Sequence, residues 1–127
     1  GQYVSEFVAK GATCIVVITN DAWWGNSPGY IQHLMHSKLR AIENRRNVAR
    51  AANTGTTCII NGRGDIVTQI PAFKVGVLSG TVAQNNQYSF YCKNGDYIGK
   101  IAFGISIAIL ILTFYMTIIH RIRLRKQ

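Results

Sequence analysis

Thr13-Cys14-Ile15-Val16-Val17-Ile18-Thr19-Asn20-Asp21-Ala22-Trp23-Trp24-Gly25-Asn26-Ser27-Pro28-Gly29 holds the transition around which this chain is organised. An apolar run empties into a loop that carries an amide, a carboxylate, two tryptophans and the turn formers Gly25, Pro28 and Gly29. Such a loop closes a core poorly and builds a pocket wall well, because binding groups gather on loops held by a rigid scaffold. The run at 13–18 is continuously apolar rather than alternating, which predicts a strand buried on both faces. The segment at 31–46 predicts a helix, with Ile31, Met35, Leu39 and Ile42 at spacings of four, four and three. Lys38, Arg40, Glu43, Arg45 and Arg46 occupy its other face.

Outward from this centre the elements are short. Residues 2–10 read as a helix that stops at Gly11, a good residue for the position after a helix end. Strands are expected at 48–53 and 56–60, meeting at Thr54-Gly55. Asn61-Gly62-Arg63-Gly64-Asp65 is expected to form a hairpin turn, with Asn-Gly supplying the positive φ, and 66–70 to return. Gly76-Val77-Leu78-Ser79-Gly80-Thr81-Val82 reads as a further short strand, and 84–96 as irregular. Helix, strand, helix, then several strands predicts an α/β (α+β layered) domain.

Residues 101–119, IAFGISIAILILTFYMTII, contain no charge and no proline. As a helix they would measure about 28 Å, close to the roughly 30 Å hydrocarbon core of a bilayer. Three parts are therefore expected: a globular region at 1–97, a transmembrane helix at 98–120 and a basic tail at 121–127. The chain of 127 residues carries a net charge of +9, and Arg121, Arg123, Arg125 and Lys126 crowd its end. A basic chain invites a nucleic-acid reading, but cations that follow an apolar run read as a membrane flank. No nucleic-acid partner is expected. The positive-inside rule places the tail in the cytoplasm and the globular part in the periplasm.

The three cysteines show no C-x-x-C spacing. Cys14 and Cys58 read as buried thiols and Cys92 as a loop residue; an odd count argues against a disulfide framework. His33, His36 and His120 combine with them in no familiar ligand spacing, so neither a metal nor another cofactor is expected. Asp21 reads either as a general base or as the residue that starts the loop turn, with the structural role favoured. Trp23 and Trp24 are adjacent in a Gly/Asn/Pro loop, so at least one is expected to face a ligand, a lid contact or lipid. His33 is expected to cap or support the site, and His36 to face solvent. Glu43 has Arg40, Arg46 and Arg50 within helical or tertiary reach. It reads as a carboxylate tying the helix to neighbouring strands, or as part of a solvated ion-pair face. No nucleophile stands beside a base, and Cys14 has no charged neighbour to activate it, so no catalytic set is complete here.

The ordered set Gly11-Ala12, apolar strand, Asn20-Asp21-Ala22-Trp23-Trp24-Gly25, Gly29, Gln32-His33, Arg40-Ala41-Ile42-Glu43, Arg50-Ala51-Ala52-Asn53-Thr54-Gly55 and Gly64-Asp65-Ile66 resembles the C-terminal half of a nitrilase-type (carbon–nitrogen hydrolase) domain. With a terminal apolar helix and a basic end, it is similar specifically to the bacterial apolipoprotein N-acyltransferases. The resemblance implies half of an αββα sandwich followed by the last membrane helix. It implies acyl transfer from a phospholipid donor to a lipoprotein N-terminus through a Cys thioester, with a Glu base and a Lys that stabilises the oxyanion. It also implies that this triad falls before Gly1 and that Asn20, Asp21 and Trp23 line the pocket, with Trp24 standing where an aromatic is usual. Two other readings stand beside it: a non-enzymatic, membrane-anchored periplasmic binding module, and a membrane-anchored nitrilase-type amidase.

Overall fold

The computed structural model describes residues 1–124, which fall into two units divided between Gly95 and Asp96. In the first, α1 (Gln2–Ala9), β1 (Ile15–Thr19), α2 (Gly29–Asn44), β2 (Val48–Ala52), β3 (Thr57–Ile60), β4 (Ile66–Ile70) and a short α3 (Phe90–Asn94) follow in that order. A 3-10 turn at Ala22–Trp24 lies between β1 and α2. The sheet order is β1-β2-β3-β4. β1 and β2 are parallel, with Val17 opposite Arg50, and the other pairs are antiparallel. The parallel pair needs a crossover, and α2 supplies it. The fold is α/β, as the residue pattern predicts.

The core lies between the sheet and its helices. Leu34 and Ala41 of α2 meet Val48, Cys58 and Ile60, with Ile15, Val17 and Ile66 packed at the margin. Each large aliphatic side chain buried this way contributes about 1.5–3 kcal/mol. Burial pushes the Cys58 thiol up, against the opposing charges of Arg50 and Lys38, which suits an inert core thiol. Cys14 is only half-buried.

Several expectations are corrected. α2 does not bury the stripe of Ile31, Met35, Leu39 and Ile42, which stand 44–47% exposed. It buries Leu34, Ser37, Ala41 and Asn44 instead. β1 alternates, with Val16 and Ile18 exposed on the sheet face away from the helices. Residues 76–82 form no strand; Leu78, Gly80 and Val82 lie against that face beside Val16, Ala49 and Ile59. Gly80 comes so close to Ile59 that an added Cβ would stand 2.5 Å from its Cδ1. In the β3–β4 turn the positive φ belongs to Gly64, not Gly62. Asn61 organises that turn, its Oδ1 accepting from the amides of Arg63 and Asp65. Cys92 sits in α3, a helix inside a segment expected to be irregular; Ser89 caps it by accepting from the Cys92 amide.

Arg46 ties the far end of this unit together. It is 1% exposed and donates to the carbonyls of Ala12, Asn44 and Gln87. A buried guanidinium on these main-chain oxygens and that of Arg45 fixes the α1–β1 loop, the end of α2 and the segment before α3 at one point.

The second unit is α4 (Tyr97–Leu124). Asp96 starts it by accepting from the Gly99 amide, the usual service of an Asp before a helix. Its serine and threonine hydroxyls are satisfied internally: Ser106, Thr113 and Thr117 donate to the carbonyls four residues earlier. Within residues 97–122 an 18-residue stretch reaches a mean hydropathy of 2.3, so by length and composition the helix can cross a membrane. The basic tail expected at 121–127 lies partly outside the described residues.

Candidate functional site

At the C-terminal ends of the parallel strands β1 and β2, two loops converge. One is the Asn20–Gly29 stretch and the other is the Asn53-Thr54-Gly55 corner that joins β2 to β3. In open α/β sheets this is the end at which sites form. Asp21 is the hub. Its side chain is fully buried, and its Oδ2 accepts from Arg50 Nη2 at 2.6 Å. Its Oδ1 faces His33 Nδ1 at 2.7 Å and accepts from the Thr19 hydroxyl at 3.2 Å. Arg50, also fully buried, donates from Nη1 to Ser37 Oγ at 2.9 Å.

The backbone of the loop is pinned as firmly as the carboxylate. Asn53 Oδ1 accepts from the Asp21 amide at 3.0 Å, and Asn53 Nδ2 donates to Asn20 Oδ1 at 2.6 Å. Asn20 Oδ1 also accepts from the Ala22 amide. Gly55 makes room for the hub: a Cβ there would stand 1.9 Å from Asp21 Oδ2. The run Arg50-Ala51-Ala52-Asn53-Thr54-Gly55 thus supplies a charge partner, a two-sided amide clamp and a gap, all directed at Asn20-Asp21.

This clamp decides where the tryptophans go. Trp24 leans on the backbone of Gly29, where an added Cβ would meet its ring at 2.5 Å, and it remains 49% exposed. Trp23 stands 85% exposed. Gly25, with φ 51 and ψ −147, turns the chain in a conformation reserved for glycine. Nearby, Tyr30 and Phe73 pack edge to face at 5.6 Å.

Burial acts to raise the Asp21 pKa, but the His33 hydrogen bond and the charge and hydrogen bond of Arg50 outweigh it. The carboxyl is therefore held below its ordinary value. Above the unfolded carboxyl value of about 3.9 neither state binds this proton, and the stabilisation is complete. Below it the unfolded chain takes up a proton first, so stability is lost as pH falls towards the folded value. A pH series of thermal unfolding is expected to show this loss setting in below about pH 4, and Asp21→Asn to flatten that part of the curve.

The sequence-predicted residues fall into two groups. Asn20, Asp21, Trp23, Trp24 and His33 come together. Asp21 turns inward, whereas Asn20, the tryptophans and one side of His33 are open. Glu43 stands apart and reaches no strand. It pairs with Arg40 at 3.1 Å, while Arg46 and Arg50, expected within its reach, are engaged elsewhere. Its Oε2 is buried without a hydrogen-bond partner and lies beside Gly1, where an added Cβ would stand 3.3 Å from it. Ser37, Asn53 and Gly55 belong to the site but were not singled out from the residues alone. An open cleft of about 460 Å3, lined by Gly1, Val17, His33, His36, Ser37 and Arg40, runs from the hub along α2.

The carbon–nitrogen hydrolase family model matches residues 3–90. The chain is 40% identical over 114 residues to an apolipoprotein N-acyltransferase of Geobacter metallireducens, an alignment covering 90% of this chain and 22% of that protein. It is 38% identical over 103 residues to that of Chlorobaculum tepidum, covering 81% and 19%. It is 32% identical over 121 residues to that of Pasteurella multocida, covering 95% and 23%. The chain thus spans about a fifth of the length of these relatives.

Proposed function

The chain belongs to the carbon–nitrogen hydrolase family, and from that membership we propose that it is the C-terminal part of an apolipoprotein N-acyltransferase. Such an enzyme moves an acyl chain from a phospholipid, through a Cys thioester, to the N-terminal amine of a lipoprotein. The carrying observation is that relatives with that name align not only with the sheet unit but also into the apolar helix. Under this reading α4 anchors the protein in the bacterial inner membrane, with its basic end in the cytoplasm and the sheet unit in the periplasm. The exposed sheet face of Val16 and Ile18 receives the first half of the sandwich. The Glu, Lys and nucleophilic Cys lie before Gly1.

The roles of the loop follow from its clamp. Asn20 and Asp21 hold the backbone, and Trp23 and Trp24 offer apolar surface to an acyl chain beside the nucleophile. Trp23→Ala removes a ring that makes little intramolecular contact, so the unfolding temperature should stay near wild type. Acyl transfer should fall about tenfold, the equivalent of about 1.4 kcal/mol of lost apolar contact. Unchanged transfer would mean that Trp23 does not line the pocket.

The whole reading is tested with the complete gene in a strain depleted of its own N-acyltransferase, with a C-terminal fluorescent reporter that matures only in the cytoplasm. Mass spectrometry of lipoprotein N-termini should show the third acyl chain restored, the reporter should fluoresce, and a codon for Cys should stand in frame shortly before Gly1. Lipoproteins that remain diacylated would sink the proposal, and a dark reporter would sink the orientation.

A further inference from the structure

We infer that Glu43 is a positioning residue whose Oε2 accepts a hydrogen bond from the main chain directly before Gly1, an inference that rests on the acyltransferase reading above. The starting point is an orphaned atom. Glu43 Oε1 is taken by Arg40 Nη2 at 3.1 Å, but Oε2 is buried and meets no donor among the described residues. A carboxylate oxygen withdrawn from water without a partner loses its hydration uncompensated, so such atoms are rare in folded proteins. In a solvated ion pair on a helix face, both oxygens would keep their water. The sealed Oε2 therefore calls for a donor that the described residues do not supply.

The place of this oxygen says which donor it takes. Gly1 is packed among three polar groups. A Cβ built on it would stand 2.5 Å from Arg40 Nη1, 2.5 Å from the Tyr91 hydroxyl and 3.3 Å from Glu43 Oε2. Arg40 and Glu43 belong to α2, and Tyr91 to α3. The residue joined to Gly1 is one peptide bond from this cluster, and each residue of a main chain brings an N–H and a C=O. An acceptor flanked by a guanidinium N–H and a hydroxyl complements that pair. Oε2 takes the N–H, and Arg40 Nη1 or the Tyr91 hydroxyl donates to the C=O. Glu43 is itself held for the task. Arg40 fixes its Oε1, and the Ser89 hydroxyl, which caps α3, donates to the Glu43 carbonyl.

The seat also has a direction. Gly1 and Arg40 line the cleft that runs past Ser37 and His33 to the Asp21 hub. Chain arriving at Gly1 thus enters at one end of that cleft. Under the acyltransferase reading the arriving segment carries the nucleophilic Cys, so the seat fixes the backbone on which the thiol stands. Glu43 takes no proton and touches no reacting atom. It acts through the segment it holds.

The test uses the full-length protein in phosphatidylethanolamine vesicles and reads two quantities. Hydrogen exchange of the peptide directly before Gly1 reports the seat, and the rate of thioester formation, read by protein mass, reports its consequence. In the wild type that peptide is expected to be protected; exchange there at the rate of a free chain overturns the inference without any variant. Glu43→Ala is expected to speed the exchange about tenfold or more, while peptides of β1–β4 keep theirs. Its thioester formation should slow about tenfold at saturating lipid, with the half-saturating lipid concentration unchanged. Glu43→Gln keeps a carbonyl oxygen that can accept, and should stay within about threefold of wild type in both readouts. Unchanged protection in Glu43→Ala overturns the inference. So does a Glu43→Gln as impaired as Glu43→Ala, because the ion pair with Arg40 would then be what matters. Where Glu43→Ala does not fold, the wild-type protection decides. A wild-type protein that protects the segment but forms no thioester overturns the acyltransferase reading, and the positioning role with it, while the seat itself stands.

Discussion

Arg50→Met is expected to destabilise the protein by about 3–5 kcal/mol, because it leaves the Asp21 carboxylate buried without its cation. Against a typical total of about 5–15 kcal/mol, that loss is large. The native pair joins two fully buried side chains at 2.6 Å, and the guanidinium also satisfies the Ser37 hydroxyl. Met fills similar volume, so the loss reports charge more than cavity. The pH dependence should change sign. In the native protein, acid weakens the fold below about pH 4, where the unfolded chain is protonated first. Without Arg50, the burial that opposes ionisation of Asp21 meets only His33 and Thr19, and the folded carboxyl value moves up. A raised folded value stabilises below it and is lost as pH rises through it, so mild acid should partly restore the variant. Asp21→Asn in the Arg50→Met background should recover part of the loss even at neutral pH, since it removes the unpaired charge. A pH-independent loss of less than about 1 kcal/mol in thermal or denaturant unfolding would show that the pair does not hold the loop.

The same residues explain how much was legible in the sequence. The strand–loop–helix transition, the β3–β4 hairpin and the apolar helix were all readable from local pattern. The buried face of α2 was not. Periodicity picked out Ile31, Met35, Leu39 and Ile42, but Ser37 and Asn44 face inward because their partners are polar: the Arg50 guanidinium for Ser37 and the Arg40 carbonyl for Asn44. A polar ligand of a buried charge is invisible to a hydrophobic count. Residues 76–82 have the composition of a strand, yet without a hydrogen-bonded neighbour they cross the outer sheet face unpaired. Arg50 carried a usable signal that the reading misdirected towards Glu43. A guanidinium at an inward position of a short apolar strand, where the main-chain oxygens are engaged in the sheet, calls for a buried anion. Of the chain's five acids, Glu43 has a helical partner one turn away in Arg40, whereas Asp21 ends the adjacent parallel strand. The register, with Val17 opposite Arg50, then brings Arg50 and Asp21 to the same end of the sheet.

Gly55→Ala should be nearly as damaging as loss of Arg50, about 3 kcal/mol or more, although it adds one methyl group. Overpacking alone typically costs about 1–3 kcal/mol, and here the collision falls on the charge hub. The new Cβ would stand 1.9 Å from Asp21 Oδ2, 2.7 Å from its Cγ and 2.9 Å from its Cβ. A flexible side chain would swing aside, but Asp21 is held by Arg50, His33 and Thr19 and its backbone by Asn53. Either the β2–β3 corner shifts or the ion pair opens. Conformation is not the cause, since Gly55 is absent from the glycines with positive φ. The cost should therefore depend on the carboxylate. In an Asp21→Ala background the same substitution loses its main obstacle, and the two changes should be non-additive by about 1–3 kcal/mol. Gly104→Ala, where nothing lies within 4 Å of the added Cβ, serves as the neutral control. If Gly55→Ala costs the same with and without Asp21, the glycine is not there to seat the carboxylate, and the link from the β2–β3 corner to the tryptophan loop is broken.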